Sequence, residues 1–124
     1  MNIKSKDEQR RIMMENFMNY LNDSIETAQK KEQELISTER KDEANLQKIR
    51  ANIYGICLTV FQVVSKKKQG KELWKEYESR LDNVSKNWIE SYEKAKKYND
   101  VEKVLIEETK FQVVNEVKEK IQEL

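Results

Sequence analysis

Cys57, Glu108 and the lysines around Gly70 are the residues whose types and positions could do chemistry. Cys57 is the only cysteine, and a thiolate becomes a good nucleophile when a nearby histidine or other cation lowers its pKa. The chain has no histidine, so neither a Cys-His nor a Ser-His nucleophile pair is available. Because Cys57 falls in the most apolar stretch, we expect a buried and unreactive thiol.

The spacing of the carboxylates in the sequence reveals neither an acid-base couple nor a metal site. Histidine-assisted zinc sites and the Glu-x-x-His pattern of di-iron bundles need a residue that this chain lacks. Most carboxylates lie beside lysine or arginine on polar helix faces, where such pairs are solvated. Glu108 interrupts an apolar stripe, and a single inward carboxylate is more often found at a bundle end than in a catalytic site. We expect no enzyme activity, no cofactor and no metal.

The lysines near Gly70 are explained by a helix end, because cations favour the helix C-terminus and glycine adopts the left-handed conformation that follows it. A phosphate-binding loop would need several glycines between a strand and a helix, and neither feature is present. An alternative hypothesis is a nucleic-acid-associated helical protein that uses the clusters Lys66–Lys71 and Lys94–Lys97. In an up-down bundle these clusters fall at opposite ends, which weakens a continuous basic footprint.

The composition favours long helices in a single domain, residues 1–124. The chain has no proline and two glycines, 38% of its residues are charged, and its net charge is +1. Turn-rich β folds need more glycine and proline, and near-neutral charge gives no bulk attraction to nucleic acid or anionic lipid. One cysteine cannot form an internal disulfide, and the polar start MNIKSKDEQRR lacks a signal-peptide core. We therefore expect a cytoplasmic protein.

The helix around which the chain is organised is predicted over residues 46–64, LQKIRANIYGICLTVFQVV. Apolar residues recur every three or four positions, and a second apolar row widens the stripe beyond half of the circumference, which is typical of a largely buried helix. We expect Ile53, Ile56, Val60 and Val63 to be nearly inaccessible. The densest run, residues 53–64, is too short to span a membrane, which takes roughly 20 residues.

Gly55 lies inside this predicted helix, where glycine costs about 1 kcal/mol relative to alanine. One interpretation is that another helix crosses close to its backbone. The other is a kink beside a ligand cavity. Both interpretations remain open at the level of the sequence.

Four amphipathic segments of similar length with short links predict an all-α fold, an antiparallel up-down-up-down four-helix bundle. Ser5 with Glu8 and Asn99 with Glu102 resemble capping boxes, and Ser37 or Thr38 could cap the second helix. Without a glycine or proline near Ser37, one uninterrupted first helix stays possible. The predicted helices are Ser5–Ile36, Thr38–Ser65, Lys71–Tyr98 and Asp100–Gln122.

The third helix carries both tryptophans and three of the five tyrosines, and three of the four methionines cluster in the first helix. Aromatic residues dominate bundle cores and protein interfaces alike, and methionines fill cores or form adaptable surfaces. The apolar rows exceed what one core would cover, which favours a homodimer. We predict a protein-protein interaction protein, such as an adaptor, assembly chaperone or regulator. Its candidate interaction face is Met13, Phe17, Trp74, Tyr77, Trp88 and Tyr92.

Overall fold

The chain folds into four α-helices joined by three short connections, as a computed structural model describes for residues 5–124. No strand occurs within that range, so the all-α, four-helix prediction is confirmed. The helices are α1 (Lys6–Ser37), α2 (Lys41–Ser65), α3 (Gly70–Lys97) and α4 (Val101–Gln122). Each begins within a few residues of the position that the sequence predicts.

The second helix is central to the bundle, as the sequence predicts, because α2 packs against each of the other three helices. One side of α2 enters the core, and we refer to this side as the inner face: Tyr54, Cys57, Phe61 and Val64. All four side chains are buried. They meet residues from every other helix in one hydrophobic cluster, which also contains Phe17, Leu21, Ile53, Leu73, Tyr77, Leu81, Val113, Val114, Val117 and Ile121.

Four aromatic rings from three helices form the centre of this cluster. Phe17 of α1 lies with its ring centroid 5.0 Å from Phe61, 5.2 Å from Trp74 and 5.6 Å from Tyr77. The contacts with Trp74 and Tyr77 are edge-to-face, the arrangement that the ring quadrupoles favour. The buried Tyr77 hydroxyl donates a hydrogen bond to the Cys57 carbonyl oxygen at 2.8 Å, so its polar atom is satisfied.

Side-chain pairs show that α3 and α4 run antiparallel. The Tyr92 hydroxyl donates to Glu108 Oε1 at 3.2 Å, Lys118 donates to Asp82, and Gln122 Nε2 donates to Glu78 Oε1 at 2.7 Å. Partners on α4 advance along the chain as those on α3 recede. These pairs agree with the up-down-up-down order, which for the whole bundle stays a prediction.

The prediction that four residues of α2 are nearly inaccessible is confirmed for Ile53 alone. Ile53 is 4% exposed and Val60 is half-buried, but Ile56 is 40% exposed and Val63 is 42% exposed. The apolar arc of α2 is wider than the core that it meets, and the core takes the inner face. A three-four spacing gives the width of such an arc and leaves open which edge faces inward.

Two helix boundaries differ from the predicted capping. Ser37 and Thr38 do not cap α2; their hydroxyls donate back to carbonyl oxygens of the last turn of α1. The chain breaks at Glu39, which takes a left-handed conformation with φ 61°, so a single helix through this region is ruled out. Asn99 is likewise left-handed, with φ 55°, and Asp100 caps α4 in its place. Asparagine tolerates this conformation better than most residues, which moves the cap by one position.

The predicted cap at Ser5 is confirmed, since its side chain accepts a hydrogen bond from the Glu8 backbone N–H at 3.2 Å. Gly70 has the left-handed conformation expected of it, with φ +60°. Its position differs from the prediction, because Gly70 is the first residue of α3, four residues beyond the Lys66 cap of α2.

Candidate interaction surfaces

The six residues of the predicted interaction face lie in three different places. Phe17 and Tyr77 are fully buried in the core, where no partner reaches them. Trp88 and Tyr92 are half-buried and pack edge-to-face on Phe111 of α4 at centroid distances of 6.0 and 5.8 Å. The remaining two, Met13 and Trp74, line one cleft. The structure therefore places Met13 and Trp74 together at this cleft and Trp88 and Tyr92 together beside Phe111, and it does not join the six residues into one face.

That cleft has a volume of about 630 Å³ and lies between the beginnings of α1 and α3 and the end of α4. We call it the Met–Trp cleft, and its apolar lining is Met13, Met14, Leu73, Trp74, Ile121 and Leu124. Trp74 is half-buried, and its ring rests on Phe17 and Phe61 of the core at 5.2 and 5.4 Å. The rest of the lining is Gly70 and the polar residues Arg10, Lys71, Lys75, Glu78 and Gln122.

A second accessible surface is the side of α2 that the core leaves uncovered. We call it the outer face of α2: Asn52, Gly55, Ile56, Thr59, Gln62 and Val63. All of these are exposed except Gly55, which is half-buried. From residue 51 to residue 65 the sequence contains no charged side chain, although 38% of the whole chain is charged. Sequence reasoning missed this surface because it assigned Ile56 and Val63 to the core.

Gly55 lies within this outer face, and α2 continues through it as an α-helix. A Cβ atom placed on Gly55 would meet no side chain and no other helix within 4 Å among residues 5–124. The close helix crossing that one interpretation of Gly55 requires is therefore absent within the described chain. The Thr59 hydroxyl folds back and donates to the Gly55 carbonyl oxygen at 3.1 Å, which keeps that hydroxyl close to the helix.

A polar cluster links α2 to α4. Arg50 Nη2 donates to Glu116 Oε2 at 2.7 Å, and the Tyr54 hydroxyl donates to the same oxygen. Burial raises the pKa of Tyr54 far above its ordinary value, and Glu116 raises it further. The cluster borders another cleft of about 630 Å³, between α1, α2 and α4. Since the Arg50 guanidinium already compensates Glu116, the cluster ties two helices together and offers no free acid-base pair.

The buried carboxylate of α4 is Glu107, one position before the Glu108 that the sequence singles out. Glu107 is 4% exposed; its Oε1 accepts from Lys110 Nζ at 3.2 Å, and within residues 5–124 its Oε2 has no hydrogen-bond partner. Glu108 is half-buried and accepts from Tyr92. The sequence signal for Glu107 was its i,i+3 spacing from Lys110, but the exposed pairs Asp7–Arg10 and Arg40–Glu43 share that spacing.

The cysteine and the acidic residues offer no reactive centre in the described chain. Cys57 is buried, as expected, and burial raises the pKa of its thiol to about 12. A thiol with that pKa is almost entirely protonated near neutral pH and is a poor nucleophile. Among residues 5–124, no three side chains of the metal-ligating types are grouped closely enough to hold an ion. None of the four helices, over the same range, combines the length and apolar composition that crossing a membrane requires.

Comparisons with known proteins give no relative from which a function could be transferred. No family model matches the chain, and neither a curated protein nor a solved structure matches it. Function must therefore be argued from the surfaces described above.

Proposed function

We propose that this is a non-catalytic, cytoplasmic helical protein that acts through protein-protein interaction and self-associates as a symmetric dimer. The adaptor, assembly chaperone and regulator roles all fit this class. The observation that carries the proposal is the outer face of α2, which is accessible and uncharged over about three helical turns in a highly charged chain.

An uncharged surface is suited to binding a second copy of itself. A twofold axis brings the same patch of both subunits together, so a charged patch would face its own charge. The outer face avoids this, and Ile56 and Val63 add apolar area that association removes from water. Lys48 on α2 and Lys66, the residue after its end, flank the patch, and their long side chains can extend into solvent beside a partner.

Gly55 gives independent support. Glycine inside a helix costs about 1 kcal/mol relative to alanine, and nothing within the described chain occupies the space that a side chain would need. The absence of a side chain at Gly55 is explained if the backbone of another subunit packs closely against it. Close backbone approach is a usual reason for glycine in such a position.

Sedimentation equilibrium of the whole chain at micromolar concentration tests the proposal. We expect a dimer, and we expect Ile56→Glu to shift it to monomer because the twofold interface would then receive a carboxylate from each subunit. Ile89→Glu is the matched control, since Ile89 on α3 is 44% exposed and lies outside the outer face. A wild-type monomer, or equal effects of the two substitutions, would contradict the proposal.

The nucleic-acid alternative receives no support from a specific observation. Lys66–Lys71 surrounds the start of α3 and Lys94–Lys97 forms its last turn. A helix of 28 residues separates the clusters by about 40 Å. We therefore propose no second function.

A further inference from the structure

We infer that the Met–Trp cleft binds an amphipathic helix with acidic flanks, supplied by another protein. The cleft is a different surface from the outer face of α2, and its evidence is independent of self-association. Its floor is apolar and its cationic side chains are part of its lining. Those two properties define the chemistry of the occupant.

The apolar floor fits a row of aliphatic or aromatic side chains. Trp74 provides a rigid surface, because its ring is held against Phe17 and Phe61. Met13 and Met14 provide an adaptable one, since methionine is unbranched and adjusts to irregular partners. A hydrophobic groove is a common receptor for the apolar face of an amphipathic helix.

The charges around the cleft select for acidic flanks. Arg10, Lys71 and Lys75 contribute three cations, against one carboxylate, Glu78, which already accepts a hydrogen bond from Gln122. Lys71 and Lys75 are exposed, one helical turn apart on α3, and form no ion pair within residues 5–124. Arg10 is 3.8 Å from the exposed carboxylate of Asp7, a contact that a partner's carboxylate could replace at little cost.

The start of α3 adds to this preference. Gly70 opens α3 at the cleft, and the residue before it, Gln69, makes no side-chain capping hydrogen bond. The first backbone N–H groups of an uncapped helix carry partial positive charge and favour a nearby carboxylate. Glu72 in the first turn offsets part of that charge, and the lysines on either side of it keep the balance positive.

The test uses three synthetic peptides of about 14 residues, four helical turns, that share one amphipathic design. The first has leucine on one face and glutamate on its flanks; the second replaces the glutamates with lysine; the third replaces the leucines with serine. Binding is followed by Trp74 fluorescence in a Trp88→Phe background, with calorimetry as a second readout. We expect saturable binding of the first peptide, and dissociation constants at least about tenfold higher for the other two.

Substitutions in the cleft identify where the peptide binds. Exchanging Lys71 and Lys75 for glutamate should reverse the preference, so that the lysine peptide binds more tightly than the glutamate peptide. Lys86→Glu, at an exposed position further along α3, is the matched control and should leave the order unchanged. Met13→Ser should weaken binding about tenfold and, by calorimetry, so should Trp74→Ala. Circular dichroism checks that both variants stay helical.

Three outcomes would overturn the inference. One is equal affinity for the glutamate and lysine peptides. Another is binding that Met13→Ser and Trp74→Ala leave unchanged, and a third is no saturable binding up to millimolar peptide. If a short DNA duplex changes Trp74 fluorescence and no peptide does, the ligand of the cleft is nucleic acid and the inference of a helical ligand is wrong. Because the outer face of α2 is intact in all these variants, failure here leaves the sedimentation result of the proposed dimer unaffected.

Discussion

The two sides of α2 both lack charge, but they differ in their surroundings and in polarity, since the outer face also carries Asn52, Thr59 and Gln62. The inner face and the outer face are both uncharged, and both carry large apolar residues. Phe61 on the inner face is fully buried, whereas Val63, two residues later, is 42% exposed. The difference arises from the other helices, which direct Phe17, Trp74 and Tyr77 at one side only. Apolar character on a helix therefore marks what can be buried, and the partners decide what is buried within one subunit.

The largest expected effect is the difference in stability loss when a side chain on each face of α2 is truncated to alanine. Phe61→Ala removes a buried ring from the aromatic cluster and should lower the free energy of unfolding by about 3–5 kcal/mol. Val63→Ala removes partly exposed methyl groups and should cost less than about 1 kcal/mol. Urea denaturation of dilute protein, where self-association is minimal, measures both. Similar losses for the two variants would mean that α2 is not divided as described.

Of the two faces of α2, only the inner face should respond to alkaline pH, because the outer face has no titratable side chain. Burial raises the pKa of Cys57 from 9.0 to about 12, and it also raises that of Tyr54 and Tyr77. Above pH 9 the unfolded chain loses the Cys57 proton while the folded chain keeps it. The free energy of unfolding should therefore fall as pH rises, by at most about 1.4 kcal/mol per pH unit for this thiol.

Urea denaturation at a series of pH values above 9 measures this slope. Cys57→Ala is the matched variant, and its slope should be shallower than that of the wild type. Identical slopes would show that the Cys57 thiol ionises as readily in the folded chain as in the unfolded one. The remaining slope in the variant is assigned to the buried tyrosines.

A smaller effect of opposite sign is expected at Gly55. Gly55→Ala should raise the free energy of unfolding of the subunit by about 0.5–1 kcal/mol, because the helix gains a better former and the new methyl group meets open space. The same methyl group should weaken self-association, since it keeps the second backbone away. Denaturation of dilute protein measures the first effect and sedimentation equilibrium the second. A variant that is more stable and dimerises as strongly as the wild type would remove the role given to Gly55.

The sequence was sufficient for the four helices and for the central place of α2. Periodicity over 20 or more residues outweighs local ambiguity, and α2 is the segment with the widest apolar arc. It was insufficient for Ile56 and Val63, since an arc wider than the core has two possible edges. It also grouped Phe17 and Tyr77 with Trp74 on one face, although only tertiary packing decides which aromatic residues lie in the core.

The sequence-based predictions also failed at helix ends and for single polar residues, and each failure has a local cause. Asn99 and Asp100 are both good N-cap residues. Because Asn99 takes a left-handed conformation, Asp100 is the residue that caps α4. Glu107 was missed and Glu108 chosen because adjacent positions on α4 differ by about 100° around the helix axis. The orientation of α4 about its own axis therefore decides which of the two carboxylates is buried.

The most direct test of the account is a disulfide cross-link between two copies through the outer face of α2. Ile56→Cys places a thiol at the centre of that face, and native Cys57 is buried and serves as an internal control for unwanted reaction. After mild oxidation, we expect a covalent dimer for Ile56→Cys and none for the wild type or for Ile89→Cys, whose position on α3 is similarly exposed. No cross-link at Ile56, or equal cross-linking at Ile56 and Ile89, would contradict it.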